Sequence, residues 1–497
     1  MQEREVKLGV PVGFELPELG GRDDGFLAEP QAPRRYRTTY YDTADLRLAR
    51  WGSSLRHRSD EGWTVKLPAE VQGPLLVRGE HAFPGDGRRP PEAAVELVRA
   101  FVRGGQLAPV ARLRTLRRPV ELRDQAGERL AEIVDDEVQV LDGRKIADRF
   151  REVEVELAEG APADLLDRVL ARLRRAGAGE PDPTPKYLRA LRGLPAGLPG
   201  PELVVPEPGK GASVGELLRH ELASSTLRLL RHDAAVRLGE DPEAVHQARV
   251  ATRRIRSTLR TFSSLLEPEW TGELSDQLKW LAGLLGAVRD TDVLLQRFRA
   301  DLAALPDEDA ALGPQLLEGL EGQRAAVHDL LLGAMAERRY ATLLDDLVAA
   351  ATSPALLPDA DGPAAEALPP LVAKPWKKLA KAVRAAGRQP GDAELHQIRI
   401  RAKRVRYAAE AVVPAVGKRA KRFAKAAEAL QEVLGEQHDA VVAEAWLRNA
   451  AHSARRGEAL VAGQLIVAER AKADASRAAW RKVWKALDRK SLRAWFP

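Results

Sequence analysis

The chain has 497 residues, of which 44% are hydrophobic and 30% are charged, a balance typical of a globular protein with two to four domains. It contains no cysteine, which excludes disulfides and thiolate metal sites. No apolar run approaches the roughly 18 residues that a membrane span needs, and the polar start MQEREVKLGV does not predict a signal peptide. We therefore expect a cytoplasmic protein with no membrane partner.

The net charge of +6 is unevenly distributed along the chain. Residues 1–210 contain 34 Lys and Arg against 35 Asp and Glu, a balance of −1, whereas residues 211–497 contain 44 against 37, a balance of +7. The C-terminal half is therefore expected to bind an anion. The mixture of both signs in the N-terminal half suits an anion held through metal ions.

Short runs of alternating polarity dominate residues 1 to about 160. Runs such as EREVKLGV, WTVKLP and REVEVEL, bounded by Gly, Pro or Asp, predict antiparallel strands. Two segments, PEAAVELVRAFVRGG and PADLLDRVLARLRRAG, have helical spacing instead. About eight strands with charged residues on one face predict a closed β-barrel tunnel with a polar interior.

Carboxylates and cations alternate along these predicted strands. Glu3, Glu5 and Lys7 would share one strand face, and burying them together is costly unless they bind something. Carboxylate oxygens suit Mg²⁺ or Mn²⁺, and basic side chains suit phosphate oxygens. A single pair of this kind is more often a solvated strand face, but four such strands in one segment favour a binding site. The later members of the pattern are Arg56, Arg58, Lys66, Glu152, Glu154 and Glu156.

Two Pro-rich segments, residues 193–213 and 353–370, divide the rest of the chain. They predict an N-terminal α+β barrel domain at 1–195, a linker at 196–213 and an all-α domain at 214–497. Apolar residues in the last domain have helical spacing throughout. We expect it to consist of two repeated four-helix bundles, at about 214–350 and 371–497.

A repeat supports this division of the C-terminal half. VHQARVATRRIR (245–256) recurs as LHQIRIRAKRVR (395–406) at an offset of 150, and LLGAVRD (284–290) recurs as VLGEQHD (433–439) at an offset of 149. On a helix, the basic residues of each copy step by three or four positions and form one stripe. The first stripe comprises His246, Arg249, Arg253, Arg256 and Arg260, and the second comprises His396, Arg399, Lys403 and Arg406.

Most basic helix faces are simply solvated, but the return of the stripe at the same phase favours a surface for a long anion. Asp290 and Asp292 in RDTD could bind a metal, but they lie at the repeat position of Asp439 and are interpreted as residues that fix helix packing. The remaining histidines, including His438, are scattered and are interpreted as structural. Only 5% of residues are aromatic and none interleaves the stripes, so nucleic acid is not favoured as a partner.

Together these motifs carry a resemblance that covers nearly the whole chain. The N-terminal half resembles a CYTH domain of the triphosphate tunnel metalloenzyme superfamily, and the C-terminal half resembles a CHAD domain, named for its conserved histidines on helices. The CYTH motifs are E-x-E-x-K at the start, YYDTADLRL (40–48), LRHR (55–58), WTVKLP (63–68), REVEVEL (151–157) and PKYLRAL (185–191). The two histidine-bearing stripes match the CHAD motifs.

The resemblance implies roles for individual residues. It implies an eight-stranded tunnel that binds triphosphate compounds, commonly hydrolysing them with Mg²⁺ or Mn²⁺, and a helical domain that binds inorganic polyphosphate. The implied metal ligands are Glu3, Glu5, Glu152 and Glu154, with Glu80 and Asp135 at further acidic positions. The implied phosphate ligands are Lys7, Arg56, Arg58, Lys66 and Lys186, together with Arg112, Arg114 or Arg117. His81-Ala82-Phe83 follows Glu80 where another acid is expected, which leaves the number of metal ions open.

Two functions are consistent with these features. In the first, the protein is a metal-dependent triphosphatase or polyphosphatase in which Glu3, Glu5 and Lys7 are catalytic and the helical domain recruits the polymer. In the second, it is a non-catalytic polyphosphate-binding module whose tunnel only grips phosphate chains. The expected partners are inorganic polyphosphate, including its granules, and a triphosphate-bearing small molecule. The substrate stays open among inorganic triphosphate, nucleoside triphosphate, thiamine triphosphate and long polymer.

Overall fold

The computed structural model describes residues 2–20, 25–68, 70–72, 75–182, 184–191, 200–209, 211–453 and 455–496. Side chains are described for all of these except residues 2, 3, 70–72, 75, 76 and 453. Residues 196–199 and 210 of the predicted linker lie outside this set. The chain forms two compact units, Met1–Glu202 and Leu203–Pro497. We call them the barrel unit and the helical unit.

The barrel unit is built on antiparallel strands whose polar and apolar residues alternate. Eight of them close into a barrel in the order β1–β10–β9–β8–β3–β4–β5–β7, and β7 pairs with β1 to complete the ring. This confirms the predicted eight-stranded antiparallel barrel. The strands are β1 (Gln2–Val10), β2 (Phe26–Pro30), β3 (Arg34–Asp42), β4 (Ser54–Arg58), β5 (Gly62–Lys66), β6 (Glu70–Gln72), β7 (Leu75–Phe83), β8 (Ala108–Asp124), β9 (Arg129–Asp142) and β10 (Lys145–Leu157).

Five short helices accompany the barrel in the residues that the structure describes. The predicted helix around residues 91–105 is divided at Val98, while the later predicted helix forms as one piece. The helices are α1 (Arg47–Arg50), α2 (Glu92–Leu97), α3 (Arg99–Val102), α4 (Leu165–Arg175) and α5 (Lys186–Ala190).

An apolar core covers part of the outer surface of the barrel. Helix α4 presents Val169 and Leu173 to the outward-facing Leu8 and Val153, and all four side chains are fully buried. Burying each such side chain stabilises the fold by about 1.5–3 kcal/mol. Because side chains alternate between faces along a strand, the residues between these outward positions point into the barrel.

A second apolar cluster fills one end of the barrel interior. Inward-facing Tyr40, Leu113 and Val138 pack against Tyr187 of α5. The Tyr187 ring stacks on Tyr40 with 4.9 Å between ring centroids, and its hydroxyl donates a hydrogen bond to the Ser53 carbonyl at 3.0 Å. This packing fixes α5 and places its first residue, Lys186, against the charged layer of the interior.

The helical unit consists of long helices joined by short turns, which confirms a mostly helical C-terminal region. Ser213 and Glu216 form a capping box at the start of α6, and Gly239 ends that helix with a φ of 71°. Asp241 then caps the next helix, so three residues reverse the chain. No helix in the described residues is long and apolar enough to cross a bilayer.

The helices of this unit are α6 (Val214–Leu238), α7 (Pro242–Thr261), α8 (Pro268–Leu302), α9 (Asp307–Ala310), α10 (Gly313–Ala336), α11 (Arg338–Thr352), α12 (Ala364–Ala367), α13 (Pro369–Ala385), α14 (Asp392–Ala411), α15 (Val413–Val416), α16 (Lys418–Ser453), α17 (Arg456–Leu487) and α18 (Lys490–Arg493). Helix α7 packs on α6 and α8, and α14 packs on α13 and α16. Helices α7 and α14, which carry the two stripes, also contact each other. The C-terminal ends of α8 and α16 share an apolar core with α10 and α17.

Candidate functional site

A layer of buried charged side chains lies inside the barrel, next to the apolar cluster. Strand register places Lys7 opposite Glu154 and Glu152 opposite Asp136, and directly paired residues project from the same face. Four carboxylates and five cations meet here, and we call them the barrel cluster. Its members are Glu5, Asp136, Glu152, Glu154, Lys7, Arg78, Arg117, Lys186 and Arg189.

Lys7 lies between two carboxylates of this cluster. Its Nζ is 2.9 Å from an oxygen of Glu154 and 3.2 Å from an oxygen of Glu5, and Glu5 also pairs with Arg78. Burial alone would lower the pKa of Lys7, but Glu154 and Glu5 outweigh it and raise that pKa to about 12. Lys7 is therefore a fixed positive charge in the barrel interior.

Lys186 reaches the same carboxylates from α5. It pairs with Asp136, and its Nζ lies 3.0 Å from Glu154 and 3.2 Å from Glu152. Burial opposes ionisation of Glu154, but Lys186 and Lys7 outweigh it and hold its pKa well below the usual value. Burial has the larger effect on Glu152, whose pKa is raised despite Lys186. The two glutamates on one strand face thus differ in proton affinity.

Arg117 joins the cluster from β8. Its guanidinium donates two hydrogen bonds to Asp136, at 2.9 and 2.6 Å, and a third to Glu154 at 3.2 Å. The guanidinium carbons of Arg117 and Arg58 lie 5.6 and 3.9 Å from the ring centroid of Tyr36. A planar donor held in this way can bind two oxygens of a phosphate group.

A second charged group lies on the neighbouring strands β4, β5 and β7. Lys66 and Arg56 contact the carboxylate of Glu80, at 3.0 and 3.3 Å. Arg58 instead pairs with Asp60 at 2.9 Å and Glu61 at 2.7 Å in the adjoining turn. The structure therefore places all three predicted basic residues on inward faces.

Three residues assigned to the tunnel lie on the other side of the barrel wall. Arg112 and Arg114 are exposed, because their register on β8 differs by an odd number of residues from that of Arg117. Asp135 is paired opposite the outward-facing Val153 and binds Arg151, with oxygen and nitrogen 2.7 Å apart. These three assignments are corrected by the register, since a shift of one residue reverses the face.

Asp136 takes the inward position instead of Asp135. The motif EIVDDEV offers two adjacent aspartates, and only the alternation of Val134 and Val138 as inward residues distinguishes them. The backbone of Glu3 pairs with Arg78 in β1–β7, while its side chain lies outside the described set. Sequence reasoning assigned no role to Arg78, Asp136 or Arg189, although Arg189 lies in PKYLRAL and Asp136 in EIVDDEV.

The chemistry of the donors fits an oxygen-preferring divalent ion. Both carboxylate oxygens of Glu152 are buried and accept no hydrogen bond from the described residues, although Lys186 and Arg189 lie 3.2 and 3.1 Å away. Mg²⁺ and Mn²⁺ prefer such oxygens. In the described part of the chain, however, no three His, Asp or Glu side chains are grouped closely enough to hold an ion.

The two stripes make matching contacts in the helical unit. Arg249 of α7 lies 3.3 Å from Asp290 of α8, and Arg399 of α14 lies 3.4 Å from Asp439 of α16. Each aspartate therefore contacts the arginine of its own copy. The two copies thus share side-chain contacts as well as sequence.

Cations from both stripes converge where α7 meets α14. The guanidinium of Arg253 lies 5.0 Å from the ring centroid of Tyr407 on the opposite helix. Burial, followed by Arg399, Arg253 and Arg249, lowers the pKa of Lys403 to about 8. A lysine loses basicity in this way when positive charges crowd around it without enough counter-charge. We call Arg249, Arg253, Arg399 and Lys403 the central cations.

A pair of histidines flanks the central cations in the second copy. The Nδ1 atoms of His396 and His438 are 3.1 Å apart. Burial, Arg399 and His396 lower the pKa of His438 to about 4, and burial and Arg399 also lower the pKa of His396. His438 was interpreted as structural because it is one of the scattered histidines outside the stripes, and its repeat position in the first copy holds Arg289.

The first copy has a single histidine at this place. Burial and Arg289 lower the pKa of His246, so it too is neutral near pH 7. At the far ends of the stripes, Arg406 is bound by Glu410 and Glu428, both at 2.6 Å, whereas Arg256 and Arg260 line a cavity.

Comparisons with known proteins agree with this architecture. A CYTH domain matches residues 1–187, and a CHAD domain matches residues 221–448. Proteins from two strains of Mycobacterium tuberculosis, both described as uncharacterized, are 31% identical over 477 residues, which cover 90% of this chain and 88% of theirs. The chain therefore belongs to the family of proteins that join an N-terminal CYTH domain to a C-terminal CHAD domain, and the resemblance is confirmed.

Two solved structures resemble part of the chain. PptA from Streptomyces chartreusis is 26% identical with a TM-score of 0.45, over 55% of this chain and 100% of PptA. The CHAD domain from the plant Ricinus communis is 29% identical with a TM-score of 0.43, over 56% of this chain and 96% of that domain.

Proposed function

We propose that the protein binds inorganic polyphosphate through its helical unit and holds a triphosphate group in its barrel unit. The observation that carries the first part is the convergence of the central cations. Four cations from two helices share one region, and among the described residues the carboxylates paired with them are Asp290 and Asp439. A polyanion would supply the missing counter-charge, which explains why the sequence conserves the stripe phase between the copies.

The helical unit is proposed to consist of two repeated four-helix bundles. Helices α6, α7, α8 and α10 would correspond to α13, α14, α16 and α17. The repeat offsets of 150 and 149 residues, together with the matching Arg249–Asp290 and Arg399–Asp439 contacts, support this correspondence. Helix α11 is an additional element that returns the chain to α6.

In the barrel, the charged side chains of the cluster form two sets, the cations and the carboxylates, and each set can bind a different ligand. Its cations neutralise its carboxylates within a region that excludes most water. Separating the two sets would therefore cost free energy unless each set gained a new counter-charge. A triphosphate would take over the cations Lys7, Arg117 and Lys186, and a divalent cation would take over the carboxylates. The site would therefore bind the triphosphate and the divalent cation together rather than either one alone.

Glu5, Glu152 and Glu154 would hold the metal, with Glu3 as the further predicted ligand. A bound Mg²⁺ or Mn²⁺ would offset phosphate charge and lower the pKa of a coordinated water. Lys7, Arg117 and Lys186 would bind phosphoryl oxygens and stabilise the charge that develops on them. Glu152, whose pKa is raised by burial, would accept a proton more readily than Glu154. Arg56, Lys66 and Arg58 would extend the phosphate contacts along the interior.

With this arrangement, the protein would hydrolyse a phosphoanhydride bond. The test is release of inorganic phosphate by the full chain from triphosphate, nucleoside triphosphate, thiamine triphosphate and long polyphosphate, each with Mg²⁺, Mn²⁺ or chelator. Metal-dependent release from at least one substrate is expected. Binding of the same compounds without release from any of them would contradict the hydrolase proposal.

That second outcome would match the alternative function, a binding module that only grips a phosphate chain. One observation favours it: within the described residues the barrel carboxylates are occupied by lysine and arginine and form no three-ligand group. Calorimetric titration with triphosphate, with and without Mg²⁺, separates the two functions. The metal-dependent hydrolase requires triphosphate to bind more tightly in the presence of Mg²⁺ than in its absence.

A further inference from the structure

The two stripes differ at one end, where the first copy contains a pocket. A cavity of 430 Å³ lies between the last turn of α7 and the first turns of α8. We call it the end pocket. Its polar wall is formed by three cations, three hydroxyl groups and one carboxylate, from Arg256, Arg260, Lys279, Ser263, Thr271, Ser275 and Asp276.

The cations of the end pocket have no carboxylate partner among the described residues. In the described part of the chain, no ion pair within 4.0 Å involves Arg256, Arg260 or Lys279, and the acidic wall residue Asp276 stays beyond that distance. Burial, then Arg404 and Arg256, lower the pKa of Arg260, so Arg404 of the second copy adds a further positive charge nearby. Uncompensated cations beside hydroxyl donors are suited to an oxyanion.

The same place in the second copy has the opposite charge. At the offsets of 150 for α14 and 149 for α16, Arg256 corresponds to Arg406, Arg260 to Glu410, and Lys279 to Glu428. Both glutamates bind Arg406 at 2.6 Å. The three hydroxyl residues Ser263, Thr271 and Ser275 correspond to Val413, Ala420 and Ala424. The second copy has thus closed its end with internal ion pairs and apolar side chains.

We propose that the end pocket binds the terminal phosphate of a phosphate chain and gives the bound chain a direction. This inference rests on the proposed binding of polyphosphate by the stripes. Internal phosphates carry one negative charge each, whereas a terminal phosphate has a second ionisation near neutral pH and carries between one and two. A position with three converging cations and hydroxyl donors matches the end of a chain better than its middle. The chain then runs from the end pocket along the central cations to the second copy.

The test compares two probes on the full chain. One is a short linear polyphosphate with free ends, and the other is the same chain with both terminal phosphates converted to singly charged methyl esters. The wild-type protein is expected to bind the free-ended chain about tenfold more tightly, as one or two charge-assisted contacts would provide. Equal affinity for the two probes would overturn the end pocket alone. Failure to bind either probe would overturn polyphosphate binding as a whole.

Two variants locate the effect. Arg260→Glu with Lys279→Glu installs the residues of the second copy, and Gly272→Leu fills the cavity without changing charge. An added Cβ at Gly272 meets nothing within 4 Å, and leucine is favoured over glycine in a helix, so this variant should fold. Both should lose the preference for free ends, and Gly272→Leu should keep its affinity for the esterified chain. The exposed pair Arg338→Glu with Lys482→Glu matches the charge change and should keep the preference. A preference that survives in Gly272→Leu would contradict the assignment to this cavity.

Discussion

At the scale of single residues, Glu5 is a buried carboxylate of the barrel cluster that is held by two cations. It is 3% exposed and contacts both Lys7 and Arg78. In Glu5→Gln the shape is kept while one metal-binding charge is removed, so metal-dependent phosphate release should fall by about 100-fold or more. Phosphate release and triphosphate binding with Mg²⁺ and Mn²⁺ measure the effect. Glu180→Gln, which changes an exposed glutamate paired with Arg174, is the control and should retain activity. Unchanged release in Glu5→Gln would remove the barrel site from the proposal.

The histidine pair predicts a dependence on pH. The pKa of His438 falls from 6.5 to about 4 because of burial and nearby cations, so this histidine is neutral near pH 7 and resists protonation as the pH falls towards 4. A polyanion bound beside it would raise that pKa, and binding would then take up a proton. Affinity for polyphosphate should therefore increase as the pH is lowered from 7.5 to 5.5.

Calorimetry in buffers of different ionisation enthalpy measures the proton uptake directly. His438→Arg, which installs the first copy's residue, should bind with a flatter pH profile because its charge no longer titrates. His452→Gln changes an exposed histidine far along α16 and controls for general effects. Since the ends of the polymer also titrate near pH 6, only the difference between wild type and His438→Arg is assigned to the pair. Identical proton uptake in both proteins would contradict this role.

The same residues show how far sequence reasoning reaches at this scale. Alternation along a strand correctly placed Glu5, Lys7, Glu152 and Glu154 together, because period-two spacing determines the face directly. It did not decide between Asp135 and Asp136, since each begins a valid alternation and only the register with β8 and β10 selects one. His438 lacked a signal because the repeat places an arginine at its counterpart.

At the scale of elements, α5 shows how packing can hold a helix that is too short to be stable alone. It has five residues, well below the length at which an isolated helix forms, and the Pro185 before it only sets its start. Tyr187 fixes it by stacking on Tyr40 and donating to Ser53. No hydrophobic period over so few residues predicts this helix, and its position depends on contacts with distant strands.

Removing the Tyr187 ring should displace Lys186 from its contacts in the barrel cluster. Tyr187→Ala deletes a buried ring and should cost about 3–5 kcal/mol in the free energy of unfolding, together with a large loss of triphosphate affinity. Tyr187→Phe keeps the ring and loses one hydrogen bond, which should cost about 1 kcal/mol. Chemical denaturation and triphosphate titration measure the two effects. If Tyr187→Ala binds triphosphate like wild type, then α5 does not position Lys186 for the ligand.

At the scale of the whole molecule, duplication predicted two stripes but not their differences. The offset of 150 residues placed both basic helices in matching settings, and the structure brings α7 and α14 into contact. The matching helical phase of the two basic stripes could be predicted from the sequence, because it depends only on the helical period. The shared core at the ends of α8, α10, α16 and α17 could not be predicted, because periodicity shows which face of a helix is apolar but not which helix packs against it.

Reversing the matched arginines of both stripes tests whether they act as one surface. Arg249→Glu with Arg399→Glu removes two central cations and adds two repulsive charges, so affinity for polyphosphate should fall by about 3–4 kcal/mol, or two to three orders of magnitude.

Binding of polyphosphate to this double variant should also depend less steeply on salt concentration. Phosphate polymers release counterions when cations bind them, so the logarithm of affinity falls linearly with the logarithm of salt concentration, and losing two contacts should reduce the slope by about 2. Arg338→Glu with Lys482→Glu carries the same change of net charge on exposed positions and should leave the slope nearly unchanged. Because net charge alters both double variants equally, a slope that decreases only in the stripe variant assigns the counterion release to the central cations. Equal slopes and affinities in the two variants would show that the stripes are merely solvated helix faces.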